Sequence, residues 1–138
     1  MKIRAAVFCI VCCSLCVLLL QSCASQKTET VITRFDVQTQ LYGRLLRWRE
    51  YEAAINMIRH QDETEVELDA KQYDDLRVVD YEIKSIKMGD ELKTAVVKAE
   101  ISYYFETQNV IKNLRDTQNW WYLEEAKQWF LDGSLPQF

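Results

Sequence analysis

Residues 76–105 read LRVVDYEIKSIKMGDELKTAVVKAEISYYF. From Leu76 on, apolar and polar residues alternate. Val79, Tyr81 and Ile83 fall in one phase; Asp80, Glu82 and Lys84 fall in the other. A period of two is the mark of a strand with one buried face. Ile86 and Met88 are out of register by one, which predicts a bulge near Ser85. Met88-Gly89-Asp90-Glu91 reads as a turn. Ala95, Val97, Ala99, Ile101, Tyr103 and Phe105 then alternate with Lys98, Glu100, Ser102, Tyr104 and Glu106, a second and clearer strand.

Downstream, a third strand is expected over about Val110 to Leu123, ending in Trp120-Trp121-Tyr122. Glu124 to Lys127 forms a hairpin connection and Gln128 to Leu131 a last short strand. Gly133 and Pro136 close the chain. Upstream, the period is that of a helix. One helix is expected from about Asp36, as N-cap, to Arg47, with Val37, Leu41, Leu45 and Trp48 on one face and Gly43 as a weak point. A second runs from Glu50 to Arg59, with Tyr51, Ala54, Ile55 and Ile58 on one face, and His60 and Gln61 end it. Gln61 to Asp75 is acidic and reads as a loop with a short helical turn. Helices followed by strands indicate an α+β fold: two N-terminal helices packed on a curved antiparallel sheet of about four strands.

The 138 residues suffice for one domain, and nearly half are apolar. All five cysteines, Cys9, Cys12, Cys13, Cys16 and Cys23, lie in the first 23 residues, so whatever follows needs no disulfide. Lys2 and Arg4 are the only charges before Cys23; the remainder holds 15 basic and 21 acidic residues, a net charge of −6. Such a domain lacks the clustered cations that nucleic acid or anionic lipid requires.

The N-terminus pairs that short basic stretch with an uncharged run, Ala5 to Leu20, which is shorter than a membrane-spanning helix needs. The run ends Leu20-Gln21-Ser22-Cys23. This resembles the lipobox of bacterial lipoproteins, in which the cysteine is acylated and becomes the new N-terminus. The resemblance implies cleavage between Ser22 and Cys23, and S-diacylglycerol and N-acyl groups on Cys23. Residues 1–22 are then a signal peptide, 23–35 the lipidated cysteine and a tether, and 36–138 the domain. Ala24, where an Asp would imply inner-membrane retention, implies the periplasmic face of the outer membrane. A retained membrane helix is the rival reading. The spacing Cys9-x-x-Cys12-Cys13-x-x-Cys16 suggests a metal site, but its spacers are all apolar and no His supports it.

The segment Leu45-Arg47-Trp48…Tyr51-Glu52-Ala53-Ala54, the strand Ala95–Phe105, Gln118-Asn119-Trp120 and the ending Trp129…Leu131…Leu135-Pro136 resemble the small NTF2-like (cystatin-like cone) lipoproteins of Gram-negative bacteria. That resemblance implies a sheet wrapped around the helices with a pocket between them. It implies no activity, because the fold hosts enzymes, carriers and interaction modules.

Chemistry is sparse in the sequence. His60 is the single histidine and is expected at a helix end, bonding the last carbonyls. No free thiol, zinc set or glycine-rich phosphate loop is present after Cys23, so neither metal nor cofactor is expected. An acid–base site would need an inward carboxylate beside Tyr81 or Tyr103, yet Asp80, Glu82 and Glu100 share the solvent phase. Asp74-Asp75 and Glu124-Glu125 read as solubilising loop charges. Trp120, Trp121 and Trp129 are candidate partner or ligand contacts, with a core place for one of the Trp120-Trp121 pair and a half-exposed place for the other. The expected function is a membrane-anchored, non-catalytic envelope binding or assembly module with a protein partner. The alternative is a small apolar-ligand carrier or enzyme using the cone interior. A pocket closed by Tyr and Phe would favour the first, an open cavity with one inward carboxylate the second.

Overall fold

The computed structural model describes residues 28–62, 64 and 69–138. Residues 28–47 are helical (α1), followed by α2, Tyr51–Ile55, and a 3₁₀ turn, Ala70–Tyr73. Four strands complete the chain: β1 Leu76–Met88, β2 Thr94–Phe105, β3 Lys112–Leu123 and β4 Gln128–Asp132. They form one antiparallel sheet in the order β1-β2-β3-β4. The architecture is α+β.

On β2, Ala95, Val97, Ala99, Ile101 and Tyr103 are buried, as the alternation requires. The register of β1 against β2 slips twice, between Val78 and Asp80 and between Ile83 and Ser85. The second slip is the bulge expected near Ser85. The first was not foreseen and corrects the place of Val79: Leu76 and Val78 are buried and Val79 is 47% exposed, while Tyr81 and Ile83 pack against the core as expected. An extra residue turns every later side chain to the other face.

Helix α1 corrects the expectation more deeply. It is already helical at Thr28, so Asp36 lies within it and caps nothing. Its buried face is Phe35, Thr39, Tyr42 and Leu46, at spacings of four, three and four. Thr39 is hidden there because its hydroxyl donates back to the carbonyls of Phe35 (3.1 Å) and Asp36 (3.2 Å). The expected face splits: Leu45 is buried, but Val37 and Trp48 are 58% and 66% exposed. Gly43 sits where α1 crosses β1. A Cβ there would clash with the Tyr81 ring, coming within 2.9 Å of Cγ and Cε1 and closer still to Cδ1.

Helix α2 ends at Ile55, four residues before the expected Arg59. Beyond it the backbone pairs with β4 instead: Leu131 N–H donates to the Met57 carbonyl (2.9 Å) and Arg59 N–H to the Leu131 carbonyl (3.0 Å). The core lies between the helices and one sheet face. Phe35 meets Trp120 and Trp129 edge-on at 6.3 and 4.8 Å, and Tyr42 meets Trp120 and Tyr81 at 5.7 and 6.2 Å. The tail folds back over this layer, burying Leu135 and placing Phe138 against Tyr103 at 5.1 Å.

Candidate functional site

Cys23 and Ser22 lie outside the described residues. The three candidate contact tryptophans, Trp120, Trp121 and Trp129, separate cleanly. Strand period two turns Trp120 inward and Trp121 outward. Trp120 is 1% exposed and Trp129 0%, so the expectation that they contact a partner is corrected: both are core. Their indole N–H groups are satisfied internally, Trp120 by Gln118 Oε1 (3.1 Å) and Trp129 by the Val31 carbonyl (3.0 Å). Trp121 alone remains half-exposed, tilted against Phe130 at 5.8 Å and donating to the Arg59 carbonyl at 2.7 Å.

His60 is not at a helix end. The pairing of residues 57–59 with β4 carries it to Asp132, Nδ1 to Oδ1 at 2.9 Å, with Gln61 donating to the other carboxylate oxygen at 3.3 Å. Asp75 is also more than a solubilising charge: its carboxylate accepts from the Thr107 hydroxyl (2.8 Å) and pins the β2–β3 connection.

Sequence reasoning missed one inward carboxylate. On β3, Leu114, Asp116, Gln118 and Trp120 share the core phase, with Asp116 opposite Ala99 and Gln118 opposite Val97. Gln118 organises a chain of bonds. Its carbonyl accepts from Tyr81 Oη (3.0 Å) and the Trp120 indole, and its amide donates to Asp116 Oδ2 (2.7 Å). Burial raises the Asp116 carboxyl above the ordinary Asp value, and the Gln118 bond only partly offsets it. Tyr42 Oη is buried without a hydrogen-bond partner among the described residues, and burial, then the nearby Asp116, pushes that phenol well up. Tyr81 is raised for the same first cause. The group is a proton-holding, neutral-favouring cluster. It could act as an acid or base only if a substrate reached it; Tyr42 packs edge-on against Tyr81 and Trp120 within the group. Asp80, Glu82 and Glu100 lie on the other face, Glu82 and Glu100 around Lys84.

A groove of about 630 Å³ runs along α1 at the edge of the core, lined in part by the buried Leu45 and Met57. Val37, Leu41 and Leu45 of α1 form one wall, Ala53 and Met57 the other, and Ala126 to Gln128 of the β3–β4 turn close one end. Its charged lining residues are Arg34 and Lys127. Among the described residues no group of three or more His, Cys, Asp and Glu is placed to hold a metal, and no helix is long and apolar enough to cross a membrane.

Comparison with family profiles, with curated proteins and with solved structures gives no match.

Proposed function

We propose that the chain is an envelope lipoprotein, acylated on Cys23 at the periplasmic face of the outer membrane, whose domain is a non-catalytic binding or assembly module. The observation that carries the module reading is where the apolar surface lies. The interior between helix and sheet is filled by Phe35, Tyr42, Trp120 and Trp129, all at most 1% exposed. Apolar surface stays open instead along the groove beside α1, at Val37 and in part at Leu41. Binding sites are concave and mostly apolar, with a few placed polar groups. The cone reading of the fold is supported by a bulged antiparallel sheet with a helix laid across one face. Anchoring follows from the acyl chains: each buried methylene contributes about 0.8 kcal/mol, and two or more chains hold an otherwise acidic domain at a membrane.

The inward Asp116, beside Tyr81, favours a second reading, a carrier or enzyme working from the cone interior.

A photo-cross-linking residue placed in living cells at Val37, in the groove, and separately at Val96, on the outer sheet face, tests the module. Both positions are exposed, at 58% and 36%, so the substitution is tolerated. The expected result is a discrete cross-linked band from at least one of them. No band from either, together with turnover of a small molecule that Asp116→Asn abolishes, would establish the interior reading instead.

A further inference from the structure

We propose that the groove between α1 and α2 docks an amphipathic helix with acidic residues at one end; the inference rests on the binding-module reading. Three observations choose this occupant. One wall is a helical ridge, Val37, Leu41 and Leu45 spaced by four; Ala53 of α2 and Met57, just past its end, face it. Trp48, 66% exposed, lies three residues beyond Leu45 and prolongs the ridge. Such a ridge packs against the side chains of another helix. From Val37 to Trp48 the ridge spans about 16 Å, or three turns of partner.

Backbone chemistry then excludes an extended peptide. Residues 37–45 lie within α1, with their N–H and C=O groups engaged along it, so this wall offers no strand edge for main-chain pairing. The occupant must satisfy its own backbone, as a helix does. Exposure of Val37 argues against an acyl chain, which would lie half in water. An amphipathic helix covers that surface with its apolar face and keeps its polar face wet.

Charge sets the orientation. The chain is acidic overall, yet the charged residues lining the groove are both basic. Arg34 Nη1 donates to the Lys127 carbonyl (2.7 Å), which fixes the guanidinium at the rim. Neither Arg34 nor Lys127 has a carboxylate partner among the described residues. Carboxylates at one end of the partner helix would meet this pair.

The probe is a fluorescein-labelled peptide of about four turns, with leucines at i, i+4 and i+7 and two Glu at one end. Its twin carries Lys in place of Glu. Anisotropy is read against the full chain in nanodiscs, with empty nanodiscs as reference. The Glu peptide should bind saturably, about tenfold more tightly than its Lys twin. Arg34→Glu with Lys127→Glu should invert that preference. Leu41→Glu should weaken both peptides by about tenfold or more, and Val37→Glu, at an exposed site, should do the same if Leu41→Glu disturbs folding. Equal binding of the twins, no inversion, displacement by a fluorescent fatty acid, or occupation of the groove by a second copy would each overturn the proposal. If the Glu peptide fails while a cross-linker at Val96 still captures a partner, the groove inference falls and the module reading stands. Failure at both would remove the reading itself.

Discussion

Gly43 shows how one residue can matter through what it lacks. In a helix interior Gly costs roughly 0.5–1 kcal/mol relative to Ala, so a Gly43→Ala change would ordinarily stabilise. Here α1 crosses β1 so closely that the new methyl meets the Tyr81 ring. We expect Gly43→Ala to destabilise by about 1–3 kcal/mol, the usual cost of overpacking, read by urea denaturation. A gain in stability would mean that α1 stands further from the sheet. Asp116 makes a second residue-level prediction. Because burial raises its carboxyl, the folded state holds that proton more tightly than the unfolded chain does. Its unfavourable contribution is therefore absent at low pH and appears as pH rises through the raised folded value. Asp116→Asn keeps an acceptor for Gln118 and removes the charge. It should raise the melting temperature at pH 7, and the difference should close as pH falls through the carboxylate range. A less stable variant at pH 7 would show that the ionised form is favoured by its surroundings.

Among the elements, legibility followed the chemistry of each face. β2 could be read because one face is uniformly apolar and the other uniformly polar. α1 could not, because it carries two apolar stripes. Val37, Leu41, Leu45 and Trp48 are regular and conspicuous, and all but Leu45 stay at least partly open to solvent. Phe35, Tyr42 and Leu46 form the true inner face, interrupted by Thr39, whose back-bonded hydroxyl removes the penalty that a polar residue signals. β3 hid Asp116 because residues 112–118 hold a single apolar residue, Leu114, which is too little to mark the inner side. The His60–Asp132 pair spans 72 residues and follows from the early end of α2, which nothing local announces. The Trp120-Trp121 pair offers a direct check on strand facing. Trp120→Ala should cost about 3–5 kcal/mol, as for a large buried aromatic, whereas half-exposed Trp121→Ala should cost about 1 kcal/mol. Equal losses by chemical denaturation would contradict the assigned faces.

Across the whole molecule, the features divide into a filled interior, an open groove and an N-terminal segment that bears on location. The interior gives stability without disulfides, since no cysteine follows Cys23. The groove is the surface on which we propose that a partner is held. Location depends on Leu20-Gln21-Ser22-Cys23, and on it rests the claim that this domain works at a membrane. Mass spectrometry of the protein extracted from membranes and digested with trypsin tests that claim most directly. The peptide ending at Lys27 should begin at Cys23 and carry a diacylglyceryl and an N-acyl group. An intact N-terminus at Met1, or an unmodified Cys23 in membrane-bound protein, would contradict it.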